Sequence, residues 1–170
     1  MIVTQDDETI DQILSSVESI CKKYPEKYWL ELDKAQSYPT EFVKSMTESG
    51  HLNALIPTKY GGAGLSLLIA ARILEKIHQS GCNAAAAHAQ MYTMGSILKY
   101  GSEAQKSKWL PLIAKGEVRL QAFGVSEPEA GTDTSSISTT AIRKENKYIL
   151  NGQKIWTSRA LHSDLMILLA

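Results

Sequence analysis

Two short stretches of this chain carry residue types suited to holding a ligand without adding fixed charge. The first is AFGVSEPEAGTD, Ala122 to Asp133. It leaves a strand-like run and enters a loop with Pro128 and Gly131, where Ser126, Thr132 and nearby backbone amides offer small hydrogen-bond donors. Such a loop can approach an anionic or heteroaromatic ligand closely. By pattern alone it is also an ordinary strand followed by a polar turn. The second stretch is NGQKIWTS, Asn151 to Ser158. Trp156 gives it a flat apolar face, with the hydroxyls of Thr157 and Ser158 alongside. A strand tryptophan more commonly fills a core. Glu127 and Asp133 resemble an acid/base pair, but carboxylates in such a loop are expected to hold it through backbone hydrogen bonds.

The elements that must position these stretches fall into two groups. Ile10, Ile13, Leu14, Val17 and Ile20 recur at helical spacing, with Thr9 and earlier acidic residues near the start. The aromatic, polar run YPEKYWLELDKAQSYP reads as a connection. Pro39 opens a short helix with Phe42, Val43 and Met46 on one face, closed by Gly50. LIPTKYGGAGLS reads as a loop, since glycines accept backbone angles other residues resist. A helix is predicted from Ser66 to Gln79, with Leu67, Ala70, Ala71, Leu74 and Ile77 along one side. Asn83 is placed as the cap of a long alanine-rich helix ending before Gly101. Ser102 and Gln105 form a capping box for another, with a kink or tightening at Pro111 and a stop at Gly116.

After Gly116 the grammar changes. RLQAFGVS, SISTTAIRK, KYILN, QKIWTS and DLMILLA are rich in Ile, Thr, Tyr and Trp and read as strands. Asn151-Gly152 is placed as a two-residue hairpin turn. The expected fold class is therefore α+β. An all-α helical domain over residues 1–116 precedes an incomplete antiparallel, barrel-like β domain over 117–170. The chain stops inside the apolar run SDLMILLA, which predicts truncation and an exposed apolar edge.

Composition narrows the function classes. Lys+Arg and Asp+Glu both number 18, and this balance argues against a general nucleic-acid or anionic-membrane binder. Cys21 and Cys82 have no metal-ligand spacing and fit a reducing compartment. His51, His78 and His162 have no carboxylate or cysteine partner at a recognisable spacing, so no metal site is expected. The start MIVTQDDETIDQ lacks the basic and apolar parts of a secretory leader, and no apolar run reaches the roughly 18 residues of a membrane span. A cytoplasmic protein is the expectation.

Taken together, VSEPEAGTD and NGQKIWTS, preceded in order by KYGGAGLS and GSEAQKSKWLPLIAKGE, resemble the acyl-CoA dehydrogenase family over essentially the whole chain. The resemblance implies a helical N-terminal domain, a β middle domain and a C-terminal four-helix domain, with FAD between the last two. It implies that Phe123 to Thr132, including Val125, line the flavin, with the Ser126 hydroxyl near N5. Gly131 and Thr132 would lie close to the pyrophosphate, and Thr132 could also touch the acyl-CoA. Trp156 would lie against the isoalloxazine, with Thr157 beside it and Ser158 on the ring edge. Many members have Thr at position 126 and Ser at position 132; both differences keep the hydroxyl. His88, Met91 and Tyr92, on the alanine-rich helix, would help wall the acyl pocket, although the alanines equally allow close helix packing with His88 on the surface.

The implied reaction is α,β-dehydrogenation of an acyl-CoA thioester to the trans-2-enoyl-CoA. An electron-transferring flavoprotein would reoxidise the FAD, and the protein would form a homo-oligomer such as a tetramer or dimer. The family's glutamate base is expected beyond residue 170, so no catalytic residue is assigned within the chain, and the chain alone is expected to be inactive. Acyl-CoA oxidases, nitroalkane oxidases and flavin monooxygenases share this fold, and a non-catalytic remnant is a further alternative.

Overall fold

The computed structural model describes residues 7–170. The first residues of the start read above as no secretory leader, including Asp6, lie outside the described residues. The described residues form helices α1 (Asp7–Cys21), α2 (Glu26–Lys34), α3 (Thr40–Glu48), α4 (Leu67–Gln79), α5 (Ala85–Tyr100) and α6 (Glu103–Lys115). Strands β1 (Leu120–Gly124), β2 (Thr140–Lys144), β3 (Lys147–Asn151) and β4 (Leu165–Leu168) follow.

Apolar faces drive the helical part. Val17 and Ile20 from α1, Phe42, Val43 and Met46 from α3, and Ile69, Ala70, Ile73 and Ile77 from α4 close one core with the buried Met91 of α5. A second cluster joins Met94 to Leu110, Ile113 and Leu120, and so ties α5 and α6 to β1. Cys21 and Cys82 are buried and unlinked. Burial and the neighbouring Cys82 push the Cys21 thiol up to about 12. No helix among the described residues is long and apolar enough to cross a membrane.

Local signals account for several helix ends. The Ser66 hydroxyl accepts from the Ile69 amide at the start of α4. Ser102 and Gln105 form the reciprocal capping box of α6. Gly116 ends α6 at φ 74°. Gly62 has a packing reason: a Cβ there would stand 2.1 Å from the Ile56 carbonyl oxygen.

Several expectations need correction. The aromatic run from Tyr24 contains a helix, α2, with Glu26 in its first turn and Lys34 in its last. Its Trp29 packs edge-on to Phe42 at 5.0 Å. On α4, Leu67 and Ala71 face solvent, and Ile69 and Ile73 take the inward positions. Asn83 sits one residue before the α5 cap position and accepts from the Ala85 amide at 2.8 Å.

The hairpin turn falls at Glu145-Asn146, between β2 and β3, with Glu145 at φ 55°. Gly152 is required for close approach: a Cβ would meet the Thr139 Oγ1 at 2.3 Å. QKIWTS is not a strand. β2 and β3 pair antiparallel as expected, whereas β1 and β4 pair parallel, each pair forming its own two-stranded sheet.

Candidate functional site

The site is built where the two chemistry-bearing stretches meet. β1 is anchored against α5: the buried Thr93 hydroxyl donates to the Leu120 carbonyl at 2.6 Å. The strand delivers Phe123 and then Val125 and Ser126 to the edge of the helical part. The second stretch returns alongside. Ile155 donates its amide to the Ser126 carbonyl at 2.9 Å, and the Lys154 ammonium donates to the Val125 carbonyl at 2.9 Å. Segments about thirty positions apart in sequence are thereby joined.

Glu127 is the hub of this junction. It is buried and accepts from the Ser138 amide (2.6 Å) and hydroxyl (2.8 Å), the Thr139 amide (2.9 Å) and hydroxyl, and the Lys154 ammonium (2.8 Å). The hydrogen bond from Lys154, then those from Thr139 and Ser138, hold its carboxyl well below the usual range. A buried charge is tolerated when it is paired and hydrogen-bonded in this way. Asp133 plays the same part in the open: it accepts from the Ser135 amide at 3.0 Å and from the Ser135 and Ser136 hydroxyls, which lower its pKa. Both carboxylates hold the loop, as the sequence led one to expect.

Around this scaffold, the candidate ligand-holding groups are open. Gly131 and Thr132 are exposed, and nothing lies within 4 Å of where a Gly131 Cβ would stand. Trp156 is 87% exposed, contrary to the bland expectation of a core strand residue, and its backbone has φ 59°. A bulky residue in the left-handed region is uncommon and marks a constrained position. Thr157 is half-buried and Ser158 exposed. His88 and Tyr92 are exposed, share one face of α5 and lie 5.1 Å apart by ring centres; Tyr92 is 6.0 Å from Phe123. Met91 does not join them. It points into the helical core, because one helical step turns the side chain about 100° from its neighbour.

A flat exposed indole, neutral hydroxyls and a loop whose central carboxylate is already neutralised suit a planar, hydrogen-bonding heterocycle with an anionic tail. Among the described residues no group of three or more His, Cys, Asp or Glu is placed to hold a metal.

Sequence reasoning missed Lys154, whose side chain is nearly inaccessible. Its lysine type reads as a solvated charge, and nothing in the local pattern marks it as an inward-facing residue. It also missed the polar chain at the base of β1, partly buried at Arg119 and Tyr38 and buried at Gln121 and Gln90. There Arg119 donates to the Tyr38 hydroxyl (3.2 Å), Tyr38 to the Gln121 side-chain carbonyl (2.6 Å), and Gln121 to Gln90 (3.4 Å). His162 stacks on Tyr38 at 4.5 Å. No local motif announces such long-range partners.

Comparison with known proteins gives this geometry a setting. Residues 7–117 match the model of the acyl-CoA dehydrogenase N-terminal domain, and residues 122–170 that of the middle domain. An acyl-CoA dehydrogenase of Bacillus subtilis is 34% identical over 142 residues, covering 82% of this chain and 37% of the relative. A glutaryl-CoA dehydrogenase of Desulfococcus multivorans is 37% identical over 140 residues, covering 79% and 36%. The chain thus spans little more than a third of the length of these relatives. The crystal structure of an acyl-CoA dehydrogenase from Geobacillus kaustophilus superposes with a TM-score of 0.85 at 27% identity, covering 99% of this chain and 44% of that one.

Proposed function

Because the chain belongs to the acyl-CoA dehydrogenase family, we propose that it supplies the helical domain (1–116) and the start of the flavin-binding β domain (117–170) of an FAD-dependent dehydrogenase acting on acyl-CoA thioesters. The observation that carries this reading is the junction of the two stretches: Lys154 and Ile155 bonded to Val125, Glu127 and Ser126, with Trp156, Ser158 and Thr132 left open beside it.

In this reading Phe123, Val125, Ser126, Gly131, Thr132, Trp156, Thr157 and Ser158 hold the cofactor. Trp156 supports the flat ring, and the hydroxyls of Ser126 and Ser158 orient its polar edge. Gly131 and Thr132 receive the pyrophosphate. When bound, the flavin supplies the hydride acceptance that no amino-acid side chain provides. The protein's own groups bind, orient and keep the electrostatics neutral. Lys154 matters here by cancelling the Glu127 charge beneath the loop.

His88 and Tyr92 would wall the acyl group along α5, with Thr132 touching the CoA portion. Glu127 and Asp133 are not bases in this scheme, because their lone pairs are occupied by the loop. The proton-abstracting glutamate is assigned to a part of the enzyme outside residues 1–170, so residues 1–170 alone should not catalyse turnover. An electron-transferring flavoprotein as electron acceptor, a homo-oligomeric assembly and a cytoplasmic location complete the proposal.

The test is titration of the chain with FAD, followed by amide and indole resonances. Saturable shifts at Trp156, Ser158 and Thr132, weakened by Trp156→Ala, are expected. Unmoved resonances at all three positions with millimolar FAD would sink the reading. Acyl-CoA-dependent dye reduction by residues 1–170 would overturn the assignment of the base elsewhere.

A further inference from the structure

Trp156 and Ser158 belong to a strap, residues 156–163, that leads the chain back to the start of β4. Apolar burial does little to hold this strap: Trp156, Ser158, Ala160, Leu161 and His162 are all exposed. Among the described residues, no side chain from Trp156 to Leu161 makes a hydrogen bond, ion pair or ring contact. Yet Trp156 and Arg159 both lie in the left-handed region, at φ 59° and 60°. Non-glycine residues persist there only where the surroundings over-determine them. The strap must therefore be fixed from its ends.

One end is the pair of bonds from Lys154 and Ile155 to Val125 and Ser126. The other is a knot around Tyr38, which comes from the loop between α2 and α3. Its hydroxyl donates to the Gln121 side chain at 2.6 Å and accepts from Arg119 at 3.2 Å, so it grips the start of β1. Its ring carries His162, stacked at 4.5 Å and 20°. The Arg119 guanidinium lies 5.5 Å from the same ring centre. Backbone bonds complete the knot. The Arg119 amide donates to the Asp164 carboxylate at 2.7 Å, the Asp164 amide to the Arg119 carbonyl at 2.8 Å, and the Gln121 amide to the Ser163 hydroxyl at 3.2 Å.

We propose that Tyr38 and His162 are positioning residues: through them the helical part fixes the angle at which Trp156 and Ser158 are presented to the flavin. This rests on the flavin reading given above, in which neither residue touches the cofactor. Two nearly parallel rings fix the rotation of the short helical turn Ala160–His162. The His162 amide donates to the Arg159 carbonyl at 3.0 Å, which passes that placement back to Arg159 and its chain neighbour Ser158. A flat ligand has to be met at one tilt, and a strap already ordered at that tilt loses less conformational freedom on binding. Because the strap buries so little, loosening it should weaken binding without weakening the fold.

His162→Ala, His162→Phe and Tyr38→Leu test this. FAD affinity is read by flavin fluorescence. The Trp156 indole and Ser158 amide resonances are read without FAD, and thermal melting reports the fold. His162→Ala should weaken FAD binding about three- to tenfold, the range one ring stack supplies. It should also shift the Trp156 and Ser158 resonances while the melting temperature stays put. His162→Phe, which keeps a ring on Tyr38, should restore both. Tyr38→Leu should weaken FAD binding too, and adding His162→Ala to it should cost little more, since both act through one contact. Unmoved Trp156 resonances and unchanged FAD affinity in His162→Ala overturn the proposal. So does a loss that follows a fall in melting temperature and is not restored by His162→Phe, or fully additive losses in the double variant. If the unaltered chain takes up no FAD while His162→Ala still moves Trp156 and His162→Phe returns it, the positioning role stands and the flavin reading fails.

Discussion

The helical part and the β part of this chain are held together by different physics. In the first, Phe42, Met46, Ile73 and Ile77 are fully buried and make a closed apolar core. In the second, every residue of β2 and β3 is exposed, and Trp156 and Leu161 stand 87% and 96% open. What orders the β part is a polar hub, the Glu127–Lys154 pair with Ser138 and Thr139 around it. Removal of apolar area from water is the larger and less directional force, so it fixes the helices as a body. Hydrogen bonds to a buried carboxylate are directional, and they fix the path of a loop that carries several hydroxyls and amides.

The contrast is sharpest in a pair of truncations. Phe42→Ala should destabilise the chain by about 3–5 kcal/mol, the usual cost of emptying a packed aromatic site. Ile149→Ala, on the exposed hairpin, should stay within about 0.5 kcal/mol. Urea unfolding measures both. Comparable costs would mean that the hairpin is packed against something and the comparison is wrong.

Next in size is Glu127→Gln, which leaves Lys154 as an unpaired buried cation. Amide exchange at Thr139 and Ser138 should accelerate strongly, while α5 amides stay protected, because the two parts share few groups at that hub. Exchange rates rising equally in both parts would show a single cooperative unit instead. A more modest local effect is expected at a cap. Ser102→Ala removes one half of the α6 capping box and should cost about 1 kcal/mol by thermal or urea melting.

Legibility in the sequence follows the same divide. Helices α1, α3, α4, α5 and α6 announce themselves by periodicity and by residues such as Ser66, Ser102 and Gly116, since capping is a local interaction. Helix α2 was hidden because its aromatic residues Tyr28 and Trp29 serve a distant contact with Phe42, and none of its residues is fully buried. The face of α4 was misjudged at Leu67 and Ala71 for a related reason: five apolar residues in a row, Leu67 to Ala71, leave two registers open. The turn was misplaced because Asn151-Gly152 is a strong local hairpin signal, yet here the glycine is needed for close approach to Thr139. Ser126, Thr132, Trp156 and Ser158 are candidates through ordered motifs, whereas Lys154, Tyr38 and Gln121 act only through partners far along the chain.

The smallest expected effect, a pH effect, separates the two parts once more. His51 is buried and its Nε2 lies 3.1 Å from the Ser16 hydroxyl; burial lowers its pKa from the ordinary 6.5. The folded state therefore binds the proton less readily than the unfolded chain. Its contribution is present above pH 6.5 and is lost as pH falls through the lower folded value. Glu127 is also depressed, from an ordinary 4.5, so its contribution holds above pH 4.5 and fades only in stronger acid. Acidification should thus loosen the helical part first, around His51, and the loop of the β part later. Amide exchange at Leu52 and at Thr139, followed from pH 7 down to about 2, measures this order. In His51→Gln the first step should vanish and the second remain; loss of both steps together would tie the two parts into one titrating unit.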